Sequence, residues 1–97
     1  MNLFRPDIPS HLAEVIRSLH PDLKRSIKSA IRAIVAYPEC GEPLKRELKG
    51  LRKYGVRRFR IVYAVDQKSR VIRLMAVGHR RQVYEELTER LQRKRRV

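Results

Sequence analysis

The chain has 97 residues and carries 24 Lys and Arg against 10 Asp and Glu, for a formal net charge of +14. That length makes one domain, residues 1–97, with a modest core, and 42% hydrophobic residues exclude a chain disordered by composition. The charge points to polyanions or acidic proteins as partners, and a lone cysteine, Cys40, excludes an internal disulfide and a thiolate metal site.

In chain order, residues 2–5 (NLFR) read as a short strand that Pro6 and Pro9 confine to a sheet edge. Leu12, Val15, Ile16 and Leu19 then recur at helical spacing, and His20-Pro21-Asp22 breaks the pattern. Pro21 suits the first turn of a second helix, with Leu23, Ile27, Ile31, Ile34 and Val35 on one face, which stops before Pro38. So short a break predicts an antiparallel helical hairpin. PECGEP is a loop. GLRKYGV supplies a strand before Arg57-Arg58. Phe59, Ile61, Tyr63 and Val65 alternate with Arg58, Arg60, Val62 and Ala64 in the next strand.

DQKSR is a hairpin turn, and the nearly continuous VIRLMAV predicts an inner strand covered on both faces. A last helix over about 81–92 puts Val83, Leu87 and Leu91 on one stripe, and its polar end, QRKRRV, frays. The expected fold is therefore α+β, a helical hairpin packed on a small antiparallel sheet with a C-terminal helix. No apolar leader and no membrane-length apolar run is present, so the reading is cytoplasmic.

The charge is concentrated. Between Pro43 and Arg81 stand 13 Lys/Arg against Glu47 and Asp66. If the last two strands pair across DQKSR, Arg58 and Arg60 lie near His79, Arg80 and Arg81, with Tyr84 one turn into the helix and Lys49, Arg52, Lys53 and Arg57 on the approach. Taken singly, a strand arginine is usually a solvated side chain, and a turn histidine usually a hydrogen-bonded one. The cluster is harder to dismiss, because gathered like charges destabilise a fold unless an anion binds there. Guanidinium groups hold phosphate bidentately, and tyrosine stacks on splayed bases. No carboxylate pair, HExxH, P-loop or GxSxG is present, so no metal and no cofactor is expected, and His79 is the one conventional proton shuttle nearby.

GEPLKRELKGLRKYGVRRFRIVYAVD followed by VGHRRQVYEEL resembles the RelE/ParE superfamily of bacterial and archaeal type II toxins, on the RelE side, over nearly the whole chain. The resemblance implies a metal-independent endoribonuclease that cuts mRNA in the ribosomal A site, leaving a 2′,3′-cyclic phosphate, and that is neutralised by a cognate acidic antitoxin. By position it implies that Arg60 binds the scissile phosphate. Arg80 stabilises or protonates the leaving oxygen, and Tyr84 stacks on the base and orients the nucleophile. Two alternating basic positions of the family fall here on Gly55 and Arg57, which shifts the base role toward His79. The alternatives are a ParE-like inhibitor of DNA gyrase and a catalytically weak RNA-binding relative.

Overall fold

The computed structural model describes residues 3–95. Strand β1 (Arg5–Asp7) leads into helices α1 (Ser10–Arg17) and α2 (Pro21–Ala36), then strands β2 (Glu42–Pro43), β3 (Arg52–Val56), β4 (Phe59–Asp66) and β5 (Val71–His79), and helix α3 (Val83–Arg95). Of the strand expected at 2–5, Asn2 lies outside the described residues; the strand itself starts three residues later, on Arg5-Pro6-Asp7, and shares only Arg5 with the expected span. Arg96 and Val97, the end of the fraying tail, also lie outside them.

The helix boundaries follow from local chemistry. Pro9 precedes α1 in an extended conformation. At α2 the His20 side chain accepts from the Asp22 N–H at 3.5 Å, Pro21 occupies the first turn, and Asp22 adds a negative charge there. The helix ends two residues before Pro38.

The sheet order is β1-β5-β4-β3-β2. Neighbours are antiparallel except β1, which pairs parallel to β5 through Arg5–Val71, Pro6–Ile72 and Asp7–Arg73. This corrects the all-antiparallel expectation: the helical hairpin and three strands separate β1 from β5, so no tight turn joins them and a parallel pairing is open to them. The helices lie on opposite faces of the sheet. Leu12, Ile16, Ile27, Ile31 and Ile34 bury against Ile61, Tyr63, Ile72 and Leu74 on one face. Val83 and Leu87 bury against Leu48, Val62 and Ala76 on the other. VIRLMAV is thus an inner strand covered on both sides, as its composition predicts.

Antiparallel register is interrupted once. Tyr63 pairs with Leu74, but Val62 pairs with Ala76, so Met75 is an extra residue in β5. The bulge reverses which face each later side chain takes.

The buried Tyr63 hydroxyl ties the sheet to the segment after α2. It donates to the Pro38 carbonyl at 2.7 Å and accepts from the Gly41 N–H at 3.0 Å. Burial pushes this phenol up to about 12. The folded state therefore holds the proton more tightly than the unfolded chain. That stabilisation is complete below a pH of about 10 and is lost as pH rises through about 12. Melting temperature is expected to drop across that window in the wild type, and Tyr63→Phe to lose that component. Parallel curves for the two proteins would show that Tyr63 does not titrate as argued.

Asp66 closes β4. The Ser69 N–H, at 3.1 Å, holds its carboxyl below the usual range, helped by Arg73 at 3.0 Å.

Candidate nucleic-acid interface

Strands β3 and β4 meet at a two-residue loop, Arg57-Arg58, flanked by the pair Val56–Phe59. Arg57 takes a left-handed φ of 57°, as primed hairpin loops need at their first position, where glycine is the usual occupant. Holding an arginine there costs about 1 kcal/mol. Arg57→Gly is expected to raise stability by roughly 0.5–1 kcal/mol, read as a melting-temperature gain of a few degrees. An unchanged or lower value would remove the strain argument.

The end of β5 comes to the same place. The Arg80 N–H donates to the Arg58 carbonyl at 2.7 Å, so Arg57, Arg58, Arg80 and Arg81, all exposed, share one end of the sheet. The expected juxtaposition of β4's start with β5's end is observed, except that Arg58 sits in the loop rather than on the strand. Among the described residues none of these arginines, nor Arg60, has a carboxylate within ion-pair distance.

Arg60 opposes Gly78 on β5 and Gly55 on β3. Its guanidinium folds over Gly55 and donates to the carbonyls of Phe59 (2.8 Å) and Arg57 (3.1 Å). Gly55 makes this posture possible, since a Cβ there would stand 3.2 Å from Nη1 and 3.3 Å from Cζ of Arg60. Gly78 faces α3, with its Cβ direction meeting Val83 at 3.5 Å, an ordinary contact distance. The first turn of α3 therefore sits on the face that carries Arg60.

Two expected members of the cluster are placed otherwise. His79 pairs with Phe59, edge-on at 6.2 Å between ring centroids, and Phe59 packs on the helical-hairpin face. The sheet thus separates the imidazole from the Arg60 guanidinium. Tyr84 lies on the α3 face but packs into the cluster of Val62, Val83 and Leu87, with its hydroxyl buried and without a hydrogen-bond partner. Its ring is partly buried.

The approach residues also divide. Lys53 shares the Arg60 face and pairs with Glu42 at 3.7 Å. Arg52 points to the other face, where it donates to the Gly41 carbonyl at 2.7 Å and braces the turn around Tyr63. Lys49 is exposed beyond the far end of β3. Among the described residues no cluster of His, Cys, Asp and Glu is placed to hold a metal, and no helix is long and apolar enough to cross a membrane.

Residues 4–84 match the family model for the ParE toxin of the parDE type II toxin-antitoxin system. The chain belongs to the RelE/ParE superfamily of type II toxins. Solved structures agree on the fold. A mutant of the Escherichia coli toxin RelE in the free state superposes with a TM-score of 0.73 at 22% identity, covering 93% of this chain and 98% of that one. The toxin–antitoxin complex RelBE2 of Mycobacterium tuberculosis gives 0.71 at 22% identity, covering 79% and 98%. The archaeal RelE–RelB complex of Pyrococcus horikoshii gives 0.67 at 21%, covering 80% and 96%. No curated protein matches by sequence.

Proposed function

We propose that this type II toxin is an endoribonuclease that cuts mRNA in the ribosomal A site, in the cytoplasm, and that an acidic antitoxin neutralises it. The observation that carries the reading is the arginine corner without carboxylate partners, Arg58 joined to Arg80 through the main chain with Arg60 on the adjoining face, beside the first turn of α3. Arginines without carboxylate partners at one end of the sheet fit a phosphodiester better than a folded protein surface.

The chemistry is transfer to the neighbouring hydroxyl. The 2′-oxygen bonds to phosphorus, the bond to the 5′-oxygen breaks, and the products are a 2′,3′-cyclic phosphate and a 5′-hydroxyl. The 2′-proton leaves to water and the 5′-oxygen takes one up. Arg60 holds the phosphate and Arg80 stabilises the leaving oxygen, so the catalysis is charge stabilisation by preorganised donors. With His79 across the sheet, the arginine face has no near-neutral base, and slow proton removal is the expected bottleneck. Tyr84, whose ring is partly buried and whose hydroxyl is covered, can offer a base only the exposed part of its ring. An antitoxin partner fits the +14 charge and the complexes formed by the E. coli, M. tuberculosis and P. horikoshii relatives.

Primer-extension mapping of mRNA ends on programmed ribosomes tests the reading: cuts within the A-site codon support it. The second reading, gyrase inhibition, follows from the resemblance to ParE-like toxins, and the matched family is that of the ParE toxin. Intact mRNA together with lost supercoiling activity in a gyrase assay would establish it instead.

A further inference from the structure

A cavity of about 520 Å³ lies between α2 and the outer edge of β3, next to the arginine corner but outside it. It exists because α2 floors it with small side chains, Ser26, Ser29, Ala30 and Ala33, between the Asp22–Arg25 ion pair at one end and the β3 edge, and because β2 stops short. Strand β2 covers only Arg52 and Lys53, so the edge of β3 is bare from Tyr54 to Val56. Ladder alternation settles what that edge offers. Val56 and Phe59 flank a two-residue loop and exchange main-chain hydrogen bonds, so Gly55, one residue back, turns its N–H and C=O away from β4. A donor and an acceptor of a residue with no side chain of its own face the cavity's open edge, with the Arg60 guanidinium packed over the other side of Gly55. Tyr54 contributes an aromatic wall. Two arginines stand at the rim: Arg25, already paired with Asp22, and Arg57, without a carboxylate partner.

We propose that this groove is a nucleotide subsite that takes one unpaired base of the RNA strand. The Gly55 main chain reads the base edge, Tyr54 packs along the ring, and Arg57 holds the linking phosphate. The inference rests on the nuclease reading, which it extends from the scissile phosphate to its neighbour. Arg57 belongs both to this groove and to the hairpin loop that carries Arg58, so one strand runs from corner to groove without a gap. A base is favoured over an added peptide strand for two reasons. The bare edge is three residues long, enough for one main-chain pair rather than a ladder. The rim is cationic, and an aromatic wall beside arginines is the usual setting for a splayed base.

Amide chemical shifts of the full chain, titrated with short single-stranded RNA, test this. Gly55, Ser26 and Ser29 are expected to move together with Arg58 and Arg80. Filling the groove with Ser29→Trp is expected to weaken RNA binding about tenfold, the order of one lost stacked base. Ser29→Asp, which adds charge without bulk, is expected to weaken it as well, with melting curves confirming that both variants fold. Shifts confined to the arginine corner, with wild-type affinity in both variants, would overturn the subsite even if the protein cuts mRNA. Groove shifts in a protein that cuts nothing would support the subsite and remove the nuclease. Groove amides that respond only to a short acidic peptide would make this a peptide-binding edge and overturn the proposal.

Discussion

Arg60→Ala is expected to slow mRNA cleavage by about 10²–10³-fold, the usual loss when one preorganised charge donor is removed from a developing oxyanion. Folding should barely change. The guanidinium bonds two carbonyls in a half-buried position, a contribution of roughly 1 kcal/mol in all. Arg60→Lys keeps the charge but loses the fork, and is expected to recover only part of the rate. Arg80→Ala should fall in the same range, because its main-chain tie to Arg58 survives the substitution while the side chain is lost. End mapping on programmed ribosomes reads the rates and melting curves read the fold. A mutant that cuts at the wild-type rate would take Arg60 out of the mechanism. One that also melts far lower would make it structural.

The second large effect concerns stability. Tyr63→Phe leaves the Pro38 carbonyl and the Gly41 N–H buried without a partner, which should cost about 2 kcal/mol, roughly 8–16 °C for a domain of this size. Gly41→Ala attacks the same joint from the other side. Its Cβ would stand 2.5 Å from the Tyr63 hydroxyl and 2.7 Å from the Lys53 carbonyl, too close without movement of the backbone. The two losses should not add. Removing the hydroxyl relieves the nearer clash, so the double mutant is expected to be more stable than the sum of the singles predicts. Strict additivity, read by denaturant unfolding, would show that the joint is not one unit.

Much of this architecture is written in periodicity. The stripes Leu12–Ile16 and Ile27–Ile31–Ile34 mark the helical hairpin, and the alternation from Phe59 to Val65 marks β4 with the correct inner face. What periodicity could not show is the bulge at Met75, because an apolar run offers no phase to lose. That one residue decides the site. Unbroken pairing from Tyr63–Leu74 would put His79 on the Arg60 face, and the extra residue turns it to the other. The parallel partner of β5 was equally hidden, since Arg5-Pro6-Asp7 is exposed throughout and carries no hydrophobic pattern. The partly buried Tyr84 was within reach: it stands three residues before Leu87 and seven before Leu91, on their stripe. The groove beside Gly55 had no signal, because it arises from small residues of α2 and a truncated β2 that only the fold brings together.

The last strand made, β5, is an inner one, lying between β1 and β4. Until β5 leaves the ribosome, the core that α2 shares with β4 lacks Ile72, Leu74 and Val77, and β1 waits some 66 residues for its neighbour. Pairings that distant in sequence close slowly, after local hairpins form. A translation product that stops short of residue 71 therefore carries β4 paired on one side only and Arg60 without Gly78 opposite it, and is a substrate for proteases rather than a weapon. Harm becomes possible only after β5 has been made, which leaves a partner already present in the cell all of that time in which to be waiting.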